Sequence, residues 1–140
     1  MADVCLNLLT KIEYSEQIDP LENIWSLQHW CKNLDRVKAI SKKEETQNYQ
    51  RFELIFDADR DQPDCVEIER FRRKNEIEVK HIIPPPGIHA LSAKWWICPE
   101  QGNILFAKRK ILIDASAYTP VLARKMFFLL RANLEKLIEV

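Results

Sequence analysis

The chain has 140 residues, 46% of them apolar and 30% charged, and its 21 basic and 21 acidic residues give a formal net charge of zero. That length holds one domain, 1–140, with a sizeable core, and the neutrality removes the basic field that a nucleic-acid or anionic-membrane partner needs. With only Gly87 and Gly102, neither a phosphate-binding loop nor a dinucleotide fingerprint can be written.

Residues 5–18 carry Leu6, Leu8, Ile12 and Tyr14 at short spacing and predict a first strand. Asp19-Pro20 then supplies an N-cap and a proline at the first helical position. Leu21, Ile24, Trp25 and Leu27 follow at helical spacing, which predicts a short helix over 20–32. From Arg36 the pattern changes to period two and keeps it for about eighty residues, so each side chain can be given a sheet face. Val37 and Ala39 share one face, as do Phe52, Leu54 and Phe56. Val66, Ile68, Arg70 and Arg72 share the next, followed by Ile77, Val79 and His81, then Leu91, Ala93, Trp95 and Ile97. The run Ile104 to Ile113 is interrupted by Lys108-Arg109-Lys110, and its phase stays open.

Turn signals fall between these runs, at 59–63, Lys74-Asn75, Pro84-Pro85-Pro86-Gly87 and Pro99 to Asn103. Short connections between amphipathic strands predict an antiparallel meander with one wet face. Thr119 and Pro120 start the last element, and Val121 to Glu139 has no helix breaker. Its wide apolar stripe, with Leu122, Met126, Leu129 and Leu130, requires a large partner, and the sheet is the candidate.

Cys5, Cys31, Cys65 and Cys98 form no CxxC pair, and no signal peptide is read at the N-terminus, so reduced, buried cysteines and a cytoplasmic location are expected. The longest apolar run, Met126 to Leu130, is far short of the roughly 18 residues of a membrane span, so no integral membrane segment is expected. His29, His81 and His89 have no partners at ligand spacing, and neither a metal nor another cofactor is expected. The basic clusters at 70–74 and 108–110 are divided between two faces by alternation, with Glu67, Glu69, Glu76 and Glu78 beside the first. They read as a solvated sheet surface, with no nucleic-acid partner.

The order of strand, short helix, six strands and long helix resembles the helix-grip fold of the START/polyketide-cyclase superfamily, nearest its aromatase/cyclase-like branch. The likeness is carried by Ile24-Trp25-Ser26-Leu27, Val66-Glu67-Ile68-Glu69-Arg70, Ile77-Glu78-Val79-Lys80-His81, Pro84 to Gly87, Lys94-Trp95-Trp96-Ile97 and the closing helix. It departs at His29 to Leu34, where the family usually has a tryptophan-rich segment. The resemblance implies an α+β, Bet v-like fold, a curved antiparallel sheet of about seven strands around a long C-terminal helix. It also implies a cavity between the two for a hydrophobic small molecule such as a lipid, polyketide or quinone. Cyclases of this kind are thought to fold and dehydrate poly-β-ketone chains there, whereas other members bind without chemistry.

Arg70 is the nearest match to the pocket arginine of the resembling cyclases, and a guanidinium on the helix-facing side could hold an enolate oxygen. It could equally pair with an acid such as Glu53 or reach solvent, and Arg72 is its alternate. His81, on an apolar face, could shuttle protons, or be a core histidine bonded to backbone. Val66, Ile68, Leu91, Trp95, Met126 and Leu130 are expected to line the ligand, with core packing as the alternative for Trp95. Trp96 should point outward, where it could serve a protein partner. Binding, cyclase-type catalysis and a protein-interaction role all stay open, as does the oligomeric state, a homodimer included.

Overall fold

Asp19 does cap the first helix, accepting from the Glu22 amide at 3.1 Å, with Pro20 at the first helical position. The computed structural model describes residues 3–33, 37–56, 65–84 and 88–138. The expected turn at 59–63, Pro85 to Gly87, Leu34, the onset at Arg36 and Glu139 lie outside them. The elements are β1 (Asp3–Glu13), α1 (Pro20–Trp25), α2 (Leu27–Asn33), β2 (Val37–Glu45), β3 (Tyr49–Phe56), β4 (Cys65–Arg73), β5 (Glu76–Ile83), β6 (Ile88–Ile97), β7 (Ile104–Asp114) and α3 (Pro120–Ile138).

Two expectations change. The first strand stops at Glu13, because a turn closed by the Ile18 amide on the Ser15 carbonyl (2.9 Å) takes the chain away from the sheet. The helix expected over 20–32 is two helices broken at Ser26, whose φ of −71° and ψ of 109° are extended. Its amide closes α1 on the Glu22 carbonyl (3.0 Å), while its hydroxyl accepts from the His29 amide (3.2 Å) and starts α2. A serine hydroxyl that can cap competes with propagation of the helix through it.

The seven strands form one antiparallel sheet in the order β1-β7-β6-β5-β4-β3-β2. Six are a meander, and β1 returns to pair with the last of them. Asn75 takes the positive φ (67°) that the β4–β5 hairpin needs, a conformation asparagine tolerates. The inner face buries Phe52, Leu54, Val66, Ile68, Ile77, Trp95 and Leu105 against Leu21, Ile24 and Trp30 of the helix pair. From α3 only Leu130, Leu134, Leu137 and Ile138 join this core. Arg131 ties that half of α3 to β1, donating to the Thr10 hydroxyl (3.0 Å) and the Lys11 carbonyl (3.1 Å). His29 donates from Nε2 to the Leu137 carbonyl at 2.6 Å.

The first half of α3 is bound less closely. Leu122, Met126 and Phe127 are half-buried, and Val121 and Phe128 keep 72% and 61% of their surface in solvent. No helix among the described residues is long and apolar enough to cross a membrane. The cysteines differ from expectation: Cys5, Cys31 and Cys65 are exposed and Cys98 is half-buried. Cys5 stands opposite Leu112, on the outer face, away from the core.

Candidate functional site

One row of inner-face residues crosses most of the sheet. Leu8 on β1 stands opposite Arg109 on β7, Arg109 opposite Ala93, Ala93 opposite Val79, Val79 opposite Arg70, and Arg70 opposite Gln50 on β3. Directly paired residues point to the same side of an antiparallel sheet, so two arginines share one face. Three strand spacings separate them, about 14 Å along the sheet.

Arg70 is fully buried, at 0% exposure, and committed to the helix pair. Its Nη1 donates to the Ile24 carbonyl (2.7 Å) and its Nη2 to the Trp25 carbonyl (2.9 Å). Its Nε donates to the Gln50 side-chain oxygen at 2.9 Å, which also accepts from Nη2. The two backbone acceptors are those freed where α1 ends, so Arg70 caps the helix that Ser26 interrupts. The guanidinium lies about 5 Å from the rings of Trp25, Trp30 and Phe52, at 5.1, 5.0 and 5.2 Å. Burial pushes its pKa down to about 9, so it is still charged at neutral pH, and Glu45 on β2 offsets part of that shift. Glu53, the suggested partner, is on the outer face with Lys43 (3.5 Å), because its position alternates with that of Gln50. Arg72 pairs with Glu22.

Arg109 resolves the open phase of β7. It points inward between Ala107 and Ile111, both buried, while Lys108 and Lys110 point outward. Its Nε is buried and has no hydrogen-bond partner. Burial lowers its pKa to about 10. The sequence reading left this residue out, since both faces of β7 carry apolar residues; the signal that finds it is its pairing with Leu8 and Ala93.

His81 stands opposite Ile68 on the same inner face. Its Nδ1 is buried without a partner, and burial together with the Arg109 charge lowers its pKa to about 4, so the ring is neutral at pH 7. The charged group acting on His81 is thus Arg109, and Arg70 is turned to the helix pair. Beyond the Lys80–Ser92 pair β5 and β6 no longer pair, and a trough of about 600 Å³ there opens mainly on the outer face, walled by Phe71, Glu78, Lys80, Lys94 and Lys110 as well as His81 and Leu91.

The expected lining residues divide. Val66, Ile68, Trp95 and Leu130 are packed core residues, each 2–3% exposed. Trp95 meets the Trp30 ring edge-on at 6.2 Å, with its own Nε1 buried and unpartnered. Leu91 is buried beside Ile111, and Met126 is half-buried on the loosely covered half of α3. Trp96 does point outward and stacks on Phe106 at 5.4 Å. His89 lies outside this group, 2.7 Å from Asp3. Among the described residues no cluster of histidine, cysteine and carboxylate groups could hold a metal ion.

The sequence matches no protein-family model and no curated protein. Its architecture does match solved structures. The di-domain aromatase/cyclase StfQ, from the steffimycin biosynthetic pathway, is 18% identical with a TM-score of 0.75 over 96% of this chain. BexL, another di-domain aromatase/cyclase, is 14% identical with a TM-score of 0.78 over 97% of the chain. The chain spans about half the length of both, 51% and 50%. The Streptomyces aromatase/cyclase ZhuI is 14% identical with a TM-score of 0.69, over 97% of this chain and 92% of its own. Seven antiparallel strands and a C-terminal helix, aligned over this length, give the chain the helix-grip fold that these aromatase/cyclase structures share.

Proposed function

We propose that this chain binds a hydrophobic small molecule, of lipid, polyketide or quinone type, between the inner face of the sheet and the first half of α3. β7 ends at Asp114 and α3 begins at Pro120, so the first half of the helix follows closely on the strand that carries Ile111 and Arg109. There its apolar side chains are half-covered, whereas the second half is sealed into the core. The observation that carries the reading is a pair of buried nitrogens without protein partners on this face, His81 Nδ1 and Arg109 Nε, with the Arg109 charge acting on the His81 ring. Buried polar atoms are nearly always bonded, and a few convergent polar groups in apolar surroundings are what a ligand site consists of.

A second reading is catalysis of intramolecular aldol cyclisation and dehydration. It is favoured by the neighbouring His81 and Arg109, one able to shuttle a proton and the other to hold an enolate oxygen. Binding is preferred because a histidine held at about pKa 4 is a weak base at neutral pH, where a general base works best with a pKa near 7. Native mass spectrometry of the purified chain tests the preferred reading. The expected result is a hydrophobic adduct, or saturable quenching of tryptophan fluorescence by added dodecanoate, a quinone or a polycyclic aromatic. The reading falls if no adduct is seen and none of those probes changes the fluorescence or the melting temperature.

A further inference from the structure

The arginines of the inner face differ in whether a carboxylate answers them. Arg72 pairs with Glu22, and Arg70 has Glu45 acting on it as well as its carbonyl and amide acceptors. Arg109 has no ion pair and no carboxylate acting on it among the described residues; burial alone moves its pKa. Its neighbours across the strands, Leu8 and Ala93, offer no side-chain acceptor. The outer-facing carboxylates of the central strands are spent elsewhere, Glu76 on Lys94 (2.9 Å) and Glu78 on Arg73 (3.2 Å). Arg109 is half-buried, its Nε is buried without a partner, and its guanidinium remains cationic at neutral pH with no counter-charge beside it among the described residues.

We infer that the ligand is an acidic amphiphile, a hydrophobic body ending in a carboxylate, and that Arg109 takes the carboxylate oxygens. This rests on the binding reading above and names the ligand's chemistry. An alcohol or hydrocarbon would leave the cation uncompensated, and an amine would add to it. A carboxylate supplies the missing charge and accepts more than one guanidinium N–H. His81 fits beside such a group. Its neutral ring carries one N–H that can donate to an oxygen, and an arriving anion offsets the Arg109 field that disfavours the imidazolium. The apolar body would lie along Leu122, Met126 and Phe127, the half-covered apolar side chains of α3.

The test uses the full chain with two probes of matched length, dodecanoate and 1-dodecanol, titrated by calorimetry at neutral pH. The carboxylate should bind about tenfold or more tightly than the alcohol, the range expected of a charge-assisted hydrogen bond. Arg109→Gln should abolish that preference, while Arg109→Lys should keep part of it. Melting curves of both variants establish that they are folded. Equal binding of the two probes to the native chain, or a preference that survives Arg109→Gln, overturns the inference and leaves hydrophobic binding standing. Failure of both probes to bind overturns the inference together with the reading it rests on.

Discussion

Arg70 and Arg109 are the same residue type, on the same face and the same row of the sheet, and their surroundings make them different objects. Around Arg70 the helix pair supplies two carbonyls, Gln50 an amide oxygen and three aromatic rings a covering, so nothing of the side chain is accessible. Around Arg109 the sheet supplies apolar neighbours, and the side chain is only half-buried. The β3–β4 end of the inner face is therefore closed around its arginine, whereas at the β6–β7 end Arg109 stays half-buried among buried apolar neighbours. An arginine's phase along a strand cannot tell these two apart; its acceptors do.

The largest expected effect is at Arg70. Arg70→Met removes four hydrogen bonds and strands the Ile24 and Trp25 carbonyls, which should cost about 3–5 kcal/mol in urea unfolding. Arg109→Met should change stability by no more than about 1 kcal/mol, or raise it, because a hydrophobic side chain replaces an uncompensated charge. Equal losses at the two positions would erase the contrast. The two halves of α3 give the next test. Leu134→Ala should cost about 2–5 kcal/mol and Met126→Ala less than half as much, since only the first site is sealed.

The smallest effect is the acid dependence of His81. Its pKa is about 4 in the fold against 6.5 when unperturbed, so between these values the unfolded chain takes up a proton that the folded chain refuses. Stability should therefore fall as pH drops from 6.5 toward 4, by at most about 1.4 kcal/mol per pH unit from this residue. His81→Asn should remove that part of the slope, seen in urea midpoints measured across the range. An unchanged slope would mean that the β6–β7 end is already open to water at His81.

Capping chemistry and strand alternation were legible in the sequence because each acts within a few residues. Asp19-Pro20 and Thr119-Pro120 begin helices as read, the Thr119 hydroxyl accepting from the Leu122 amide at 3.0 Å. Alternation also put Arg70 and His81 each on the apolar face of its strand, and the pairing of β4 with β5 makes that one face. Three features escaped it. Ser26 carries a cap signal, but the apolar spacing runs on across it and hid the break. Arg109 sits in a strand with apolar residues on both faces, and only its cross-strand partners fix its direction. The commitment of Arg70 depends on carbonyls at Ile24 and Trp25, more than forty residues away in the chain.

The pairing of β1 with β7 also governs how the molecule is assembled. Asp3 meets Asp114 and Glu13 meets Ile104, so every contact of this ladder spans most of the chain. The other strand pairs join neighbours in sequence and can form as hairpins in the order of synthesis. β1 has no strand to join until β7 has been made, and ladders of such high contact order form slowly. During that wait Leu9, on the outer face, and Leu8 and Ile12, on the inner, are an unpaired apolar edge. Slow refolding, and aggregation that worsens with concentration, should therefore trace to β1.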